Sequence, residues 1–316
     1  MIALFNQEQR NLANEIINSV KNGQFSIRTK TKLSNNEIMA VFKICMGDIP
    51  EYINFDNCRL SFQAGFDSKV IKLLPQKRSQ TDYFKDTDIS FLMKKAEEIV
   101  CNLRLKEKND MMKAVGIYDY LCKSVKYAIT QNSQNAWGAL VDKTAVCEGI
   151  ACAFNLLAKT SGLRSTVIHG TMNNGPHAWN IIQINNCFYH VDATSALEDK
   201  EADANSNYDF IFLQDSDMKG YIWNKTFYPE CASAQHNYFV CSHSFAKSRK
   251  EAEEIIKRQV SSKRIVYLRA ASNLNFTEEE AYNIFIKVLK EQGVSFTSGS
   301  IRTNAKLDII QIKYSI

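Results

Sequence analysis

The stretch "KTAVCEGIACAFNLLAKTSGL", residues 143–163, sets a cysteine where a turn of small residues runs into an apolar helix. Apolar residues recur from Ile150 to Leu157 at the spacing of a buried helical stripe, and Gly162 supplies the expected stop. Cys147 therefore lies at the predicted helix start. A thiol there meets the positive end of the helix dipole and unpaired N–H groups, which favour its nucleophilic thiolate form. The alternative is a small buried hydrophobe, the usual state of a cysteine in a reduced protein.

The residues after this helix predict an antiparallel sheet. Strand-like segments "STVIHG" (165–170), "HAWNIIQI" (177–184) and "CFYHVDAT" (187–194) are separated by the turns "NNGP" and "NN". Such short turns join antiparallel strands, because parallel strands need long crossover connections. Two amphipathic helical segments, 88–105 and 108–129, precede the cysteine. Helices followed by an antiparallel sheet predict an α+β fold.

A histidine and an aspartate are placed so that they can join the cysteine. His177 begins one of these strands and Asp192 lies on the next, so the two side chains can meet across a hairpin. An imidazole near a thiol takes its proton, and a carboxylate on the far ring nitrogen fixes the tautomer and stabilises the imidazolium. Cys147, His177 and Asp192 therefore suggest a Cys-His-Asp triad, which needs no cofactor.

These residues resemble the transglutaminase-like superfamily, a branch of the papain-like cysteine enzymes. The family pattern is a Cys-x-Gly at a helix start, a Gly after the next strand, a His-Ala-Trp-Asn strand, and then an aromatic-x-Val-Asp-x-Thr. The matching residues, in the same order, are Cys147-Glu148-Gly149, Gly170, His177-Ala178-Trp179-Asn180 and Tyr189-His190-Val191-Asp192-Ala193-Thr194. The resemblance covers about residues 112–230, and "YDFIFLQDSDM" and "FYPEC" near its end resemble features of bacterial members.

The resemblance implies roles for the matched residues. Cys147 is the expected nucleophile, His177 the general base and then acid, and Asp192 the residue that orients His177. Trp179 is expected beneath the site, with a plain core aromatic as an equal alternative. Gly149 is expected to keep the wall beside the thiol low, and both it and Trp179 are predicted to line the substrate site.

The oxyanion of a tetrahedral intermediate needs two donors. The backbone N–H of Cys147 is expected to be one. Residues upstream of the cysteine offer the second, and no motif selects among Gln131, Gln134, Asn135 and Trp137.

The remaining histidines are predicted to be outside the catalytic chemistry. His169 ends a strand without a placed partner, which is typical of a structural side chain. His190 should share the face of Asp192 by strand alternation and could support the site from behind. No metal site is predicted, because tight ligand spacing is lacking among the other candidates, His236, His243, Cys231 and Cys241.

Composition predicts a globular chain with no nucleic-acid partner. Of its 316 residues, 45% are hydrophobic and 23% are charged, with a net charge of only +5. Basic residues alternate with acidic ones, as in residues 247–258, which is typical of a solvated helix face rather than a phosphate-binding stripe.

Cysteine usage and hydropathy predict a reduced, cytoplasmic protein without a membrane partner. The nine cysteines are an odd set without Cys-x-x-Cys spacing, which argues against a disulfide framework or a zinc site. The N-terminus lacks the apolar core of a secretory signal, and runs of about 18 apolar residues are absent from the sequence. A protein whose leader had been removed would look the same. The oligomeric state is not specified.

Three regions are predicted: an N-terminal α/β region at 1–80, the transglutaminase-like core at 81–245 and a C-terminal α/β region at 246–316. Each flanking region has a βαββ order, with a helix opened by a capping box, "SNNE" at 34–37 and "TEEE" at 277–280. These units resemble domains that flank such cores in bacterial proteins.

The predicted function is acyl transfer from a peptide or protein amide through a thioester at Cys147. Hydrolysis, as a cysteine protease or amidase, is favoured over transfer to an amine, because the flanking units could wall a peptide groove. A protein-glutamine transglutaminase and a non-catalytic binding module are the alternatives. Removal of asparagine-linked glycans uses the same core, but it usually accompanies a cysteine zinc site that this sequence lacks.

Overall fold

The computed structural model describes residues 5–22, 24–48, 59–65, 67–74, 86–198, 207–262 and 265–315. Helices and mostly antiparallel sheets alternate along these ranges, which confirms the predicted α+β class. The predicted boundary at residues 80 and 81 lies outside them. No disulfide joins the cysteines that the structure describes. Across the described helices, none is long and apolar enough to cross a lipid bilayer.

The N-terminal unit has the predicted βαββ order after a first helix. Its elements are α1 (Gln7–Lys21), β1 (Ser26–Thr29), α2 (Asn35–Asp48), β2 (Arg59–Ala64) and β3 (Lys69–Leu74). The strands pair antiparallel in the order β1-β3-β2. The predicted capping box opens α2: the Ser34 amide donates to Glu37 Oε2 at 2.7 Å, and the Glu37 amide donates to Ser34 Oγ at 3.3 Å.

The helical part of the predicted core, residues 81–245, precedes its sheet. Its elements are α3 (Asp86–Asn102), α4 (Asp110–Ser124), β4 (Lys126–Tyr127), α5 (Ala136–Leu140), β5 (Thr144–Ala145) and α6 (Cys147–Thr160). The apolar stripe of α6, which includes Ile150, Phe154 and Leu157, is buried against the neighbouring helices in one hydrophobic core.

An antiparallel sheet follows α6. Its elements are β6 (Arg164–Met172), β7 (Gly175–Ile184), β8 (Cys187–Val191), α7 (Ala193–Glu198), β9 (Ile211–Leu213) and β10 (Tyr221–Trp223). The strands lie in the order β10-β6-β7-β8-β9.

Both hairpins of this sheet turn on a pair of asparagines. Asn173 and Asn174 have φ of 48° and 68°, and Asn185 and Asn186 have φ of 48° and 65°. Positive φ at both central residues is the requirement of a type I′ turn, and asparagine tolerates it better than most residues. The predicted "NNGP" turn is therefore shorter than expected, since Gly175 already pairs with β6.

The C-terminal unit completes the chain. Its elements are α8 (Tyr238–Cys241), β11 (Phe245–Ala246), α9 (Arg249–Ser262), β12 (Ile265–Ala270), α10 (Glu278–Glu291), β13 (Ser298–Asn304) and β14 (Ile309–Ser315). The strands lie in the order β11-β12-β14-β13. The predicted capping box at Thr277 and Glu280 is present at the start of α10. The predicted βαββ order is present in β12, α10, β13 and β14.

The C-terminal unit packs against the five-stranded sheet of the predicted core, on the face that carries Trp179. Trp179 belongs to the same buried cluster as Tyr267 and Ile309 of the C-terminal sheet. A buried ion pair reinforces this contact: Arg302 donates to the Asp209 carboxylate at 2.7 Å, and Asn304 donates to the same oxygen at 2.9 Å. One face of the sheet therefore holds α6, and the other is closed by the C-terminal unit.

Candidate active site

Cys147 is the first residue of α6, as predicted, and its side chain is half-buried. The loop before α5 fixes this helix start, because the Val146 amide donates to the Ser133 carbonyl at 2.9 Å. Gly149 is buried, and a Cβ there would lie 2.3 Å from the Ser133 carbonyl oxygen. Glycine at this position is therefore required for packing. The structure shows a close approach between α6 and the preceding loop at Gly149, and its role in lining the substrate site stays a prediction.

His177 and Asp192 meet as expected. His177 Nε2 lies 2.8 Å from Asp192 Oδ2, and the two side chains are only 5% and 1% exposed. The Cys147 side chain lies close enough to this imidazole to raise its pKa. Because Nε2 faces the carboxylate, Nδ1 is the ring nitrogen left for the thiol. The structure thus brings the side chains of Cys147, His177 and Asp192 together.

The electrostatics of these three side chains favour a charged imidazole. Burial disfavours the imidazolium, but the hydrogen bonds and negative charge of Asp192 and Cys147 outweigh it and raise the pKa of His177 to about 10. Burial also disfavours the Asp192 carboxylate, yet contacts with His177, Tyr221 and Ser195 outweigh it and lower the pKa of Asp192. A thiol beside such a pair faces a proton acceptor held by a fixed negative charge.

Asp192 lies just beyond β8 rather than within it, which corrects the strand placement. Its Oδ1 accepts from the Ser195 amide at 3.0 Å, so the carboxylate also caps the start of α7. The pairing of β8 with β9 is irregular between His190 and Val191, and Phe212 on β9 has a φ of 59°. A bulge of this kind re-aims the neighbouring side chains, and positive φ at a bulky residue is strained.

Two hydroxyls on Asp192 were not predicted from the sequence. Tyr221 Oη and Ser195 Oγ each lie 2.7 Å from Asp192 Oδ2. Ser195 could have been suggested by the helix-start pattern that begins at Asp192. Tyr221 follows Asp192 by 29 residues and comes from a different strand, so no local pattern identifies it.

Trp179 and Asn180 support the site from the same strand as His177. The Trp179 ring stacks at 5.9 Å and 20° on the His177 ring. Trp179 is only 1% exposed, which fits support of the histidine better than contact with a substrate. The Asn180 side chain donates to the Ala151 carbonyl at 3.0 Å and so ties β7 to α6. This bond fixes the distance between the elements that carry His177 and Cys147.

His190 belongs to a second His-carboxylate pair. The Trp179 indole N–H donates to His190 Nδ1 at 3.0 Å, and His190 Nε2 lies 2.9 Å from Asp215 Oδ1. The indole is a donor only, so Nδ1 must accept and the neutral ring carries its proton on Nε2. The expected support from His190 therefore runs through Trp179.

Among the described residues, one set of three side chains could gather metal ligands: His190, Asp215 and Cys231, whose ligand atoms lie within 4.8 Å of one another. The hydrogen bonds do not suit a metal ion. His190 Nε2 carries the proton that Asp215 accepts, and the Cys231 amide donates to the same carboxylate oxygen at 3.2 Å. This set is a hydrogen-bonded chain behind Trp179. It shares Cys231 with the candidates weighed in the sequence, but its histidine and its carboxylate are not among them.

His169 has a partner that the sequence did not reveal. Its Nε2 lies 2.8 Å from Glu148 Oε1, on the residue that follows Cys147. Burial disfavours the Glu148 carboxylate, but His169 outweighs it and lowers the pKa of Glu148. The pair joins β6 to the first turn of α6, which agrees with a structural role.

Trp137, one of the suggested second oxyanion donors, has both its backbone and its indole N–H engaged elsewhere. Asn135 Oδ1 accepts from the Trp137 amide at 3.0 Å and caps α5. The Trp137 indole N–H donates to Asp142 at 3.1 Å. Gln134 is half-buried and Gln131 is exposed, so both glutamines remain candidates for the second donor.

Comparison with known proteins identifies the core. Residues 97–193 match the family model described as the transglutaminase-like superfamily. A search of the curated proteins finds no match to this chain.

Solved structures show only distant likeness. A transglutaminase is 11% identical with a TM-score of 0.34, over 58% of this chain and 54% of that one. A proposed cysteine protease from Cytophaga hutchinsonii is 13% identical with a TM-score of 0.29, over 43% of this chain and 62% of that one. Menin, described with its binding site for the Mixed Lineage Leukemia protein, is 10% identical with a TM-score of 0.31, over 92% of this chain and 55% of that one.

This chain therefore spans little more than half the length of the transglutaminase and under two thirds of the protease. At these TM-scores the likenesses carry no argument. The family model covers the segment that holds α6, β6, β7 and β8, together with all three residues of the Cys-His-Asp line. The match to the transglutaminase-like superfamily therefore covers residues 97–193 and does not extend to the rest of the chain.

Proposed function

We propose that this protein is a cysteine-dependent acyl-transfer enzyme that hydrolyses amides in peptides or proteins. The observation that carries the proposal is the line from the Cys147 thiol through the His177 ring to the buried Asp192 carboxylate. A half-buried thiol at a helix start is open to a substrate on one side and faces a proton acceptor on the other. Such a line supports nucleophilic catalysis.

In the proposed reaction, the Cys147 thiolate attacks the amide carbonyl carbon and forms a C–S bond while the carbonyl electron pair moves to oxygen. The oxyanion then collapses, the C–N bond breaks, and the His177 imidazolium gives its proton to the leaving amine. Neutral His177 next takes a proton from water, whose oxygen attacks the thioester. The C–S bond breaks and restores the thiolate and imidazolium. Asp192 holds the imidazole throughout.

The Cys147 amide lies at the start of α6, where backbone N–H groups lack helical partners. It supports the proposal as one oxyanion donor, since such a donor contributes most when it is fixed before the reaction. Water is the proposed acceptor because the thiol is only half-buried, and a partly open site admits water to the thioester.

The test is incubation of the protein with a peptide library, with and without excess primary amine, followed by mass spectrometry of the products. Cleaved backbones that disappear in Cys147→Ala support the proposal. Cys152→Ala is the matched control, because Cys152 lies on the same helix and is also half-buried. It should retain cleavage.

Two other outcomes would replace the proposal. Amine adducts on glutamine without cleavage would make the protein a transglutaminase. An intact protein with no turnover and an unreactive Cys147 would make it a binding module that kept the fold alone. The reactivity of Cys147 is measured directly by alkylation with iodoacetamide and peptide mapping.

A further inference from the structure

The carboxylate of Asp192 receives more donors than a triad requires. Its Oδ2 lies 2.8 Å from His177 Nε2, 2.7 Å from Tyr221 Oη and 2.7 Å from Ser195 Oγ. Tyr221 comes from β10, at one edge of the described sheet, whereas His177 and Asp192 come from β7 and the end of β8. A residue outside the family pattern therefore reaches the buried end of the catalytic line.

The two hydroxyls cannot both donate to Asp192 without cost. Tyr221 Oη and Ser195 Oγ lie 2.9 Å apart, and each carries one proton. If both hydroxyl protons pointed at Asp192, no proton would lie between the two hydroxyl oxygens. The lone pairs of those oxygens would then repel each other. The phenol is the more acidic hydroxyl and hence the stronger donor to a carboxylate. The favoured arrangement is a chain in which Ser195 donates to Tyr221 and Tyr221 donates to Asp192.

The ring of Tyr221 also confines the imidazole. It meets the His177 ring at 5.8 Å and 63°, and the Trp179 ring at 5.2 Å and 72°. His177 is therefore bounded by Trp179 on one face, by the Tyr221 ring edge-on, and by Asp192 at Nε2. Removal of the hydroxyl alone would keep the two ring contacts and take away the hydrogen bonds to Asp192 and Ser195.

We propose that Tyr221 is a positioning residue of the catalytic line, whose hydroxyl holds the Asp192 carboxylate in the orientation that aims His177 at Cys147. This inference rests on the proposed function, since it assigns the residue to the same site. Tyr221 contacts Asp192 through its hydroxyl and His177 through its ring, and it acts on the thiol through these two residues.

The C-terminal unit braces this residue. Tyr221 follows Gly220, which has a φ of 87° and whose carbonyl accepts from the Asn173 amide at 2.9 Å. A Cβ at Gly220 would lie 2.9 Å from Asn173 Oδ1. Lys306, in the turn between β13 and β14, donates to that same Oδ1 at 3.1 Å. The C-terminal unit thus touches the corner from which Tyr221 extends, which gives this unit a part in shaping the site.

The ionisable groups that face Asp192 allow a specific test. They are His177 on β7, Tyr221 on β10, and Tyr118 and Cys122 on α4. Burial raises the pKa of Cys122 to about 12 and the pKa of Tyr118 as well, so both stay neutral through the neutral range. The hydrogen bond from Tyr221 is one of the contacts that lower the pKa of Asp192. Its loss should therefore let Asp192 protonate at higher pH.

The experiment measures the rate of Cys147 alkylation by iodoacetamide against pH in Tyr221→Phe. The acid limb of the profile should move up by about one pH unit, the size expected for one hydrogen bond to a charged group. Tyr208→Phe is the matched control, because Tyr208 also donates to a carboxylate, Asp119, but at a distance from the site. It should leave the profile in place. Where a peptide substrate is known, kcat should fall about tenfold with KM unchanged.

A second variant guards against a folding defect in Tyr221→Phe. Incorporation of 3-fluorotyrosine at position 221 keeps the ring and makes the phenol a stronger donor, so the acid limb should move to lower pH. An unchanged profile in folded Tyr221→Phe, or no shift with 3-fluorotyrosine, would overturn the proposal and leave Tyr221 a packing residue. Alkylation needs no substrate. A protein that fails to cleave any peptide but shows these shifts would refute the proposed hydrolysis and retain the role of Tyr221.

Discussion

Two buried His-carboxylate pairs share one sheet, and they differ in the group that the second ring nitrogen of the histidine meets. His177 lies 2.8 Å from Asp192 and His190 lies 2.9 Å from Asp215. The pKa of His177 is raised to about 10, whereas the pKa of His190 is lowered. Equal distances to a carboxylate thus accompany opposite shifts.

The difference comes from the second ring nitrogen and from burial. His190 is fully buried, and desolvation outweighs the attraction of Asp215. Its Nδ1 accepts the Trp179 indole N–H, a contact that a protonated ring would lose. The second nitrogen of His177 faces a thiol that can become negative, which favours the imidazolium. A His-carboxylate pair alone is therefore no sign of catalysis. The group at the second ring nitrogen of the histidine decides the chemistry of the pair.

The largest expected effect comes from replacing the two histidines in turn. His177→Asn should lower the rate of peptide hydrolysis by about 10⁴-fold or more, because it removes the general base. His190→Asn should lower it less than about tenfold and should instead destabilise the fold by about 1–3 kcal/mol through its buried partners. Initial rates and denaturant unfolding measure the two. A His190→Asn variant as inactive as His177→Asn, but stably folded, would refute the distinction.

Replacing the two carboxylates should give the next largest contrast. Asp192→Asn should lower the rate by about 10³-fold, since an amide can hold the imidazole in the wrong tautomer. Asp215→Asn should leave it within about tenfold, because that residue acts on the site only through His190 and Trp179. Circular dichroism confirms folding in both cases. Equal losses would mean that the chain behind Trp179 is part of the catalytic machinery.

The pairs should also respond to pH in opposite directions. The raised pKa of His177 stabilises the fold fully below about 6.5, and this contribution is lost as pH rises toward about 10. The lowered pKa of His190 contributes stability above about 6.5, which is lost as pH falls through its folded value. The free energy of unfolding is measured against pH for the parent protein and for each asparagine variant. The parent curve minus a variant curve gives the contribution of that histidine to stability at each pH. Contributions that change in the same direction with pH would contradict the assigned pKa shifts.

Local signals explain why much of the site was predictable. Cys147 at a helix start and His177 in a hairpin strand each follow from patterns within about ten residues. The contacts that make the two histidines differ join residues that are far apart in the sequence. Tyr221 reaches Asp192 from a strand whose place beside β6 no short pattern encodes. Asp215 meets His190 across 25 residues, beyond an irregular pairing at Phe212.

The role of Gly149 shows a similar limit. A Cys-x-Gly pattern indicates that a side chain is excluded, but the excluding atom lies 16 residues earlier, on Ser133. The sequence therefore suggested that Gly149 leaves space beside the thiol. The structure shows that Gly149 makes room for the loop that carries Ser133. Such approaches depend on tertiary packing and require coordinates to be seen.

The smallest effect is expected for a variant that tests directly how the group at the second ring nitrogen of His190 sets its pKa. Trp179→Phe keeps an aromatic ring beneath His177 but removes the indole N–H from His190 Nδ1. His190 can then bind a second proton without losing a donor, so its pKa should rise toward the ordinary value of about 6.5. The pKa of His177 should stay high, because Asp192 and Cys147 are untouched, and the hydrolysis rate should change less than about tenfold. NMR titration of ring-labelled histidine measures both groups in one sample, and Trp223→Phe is the control, since Trp223 meets the His190 ring edge-on without donating to it. A His190 that stays neutral in Trp179→Phe would mean that burial alone, and not the indole, separates the two pairs.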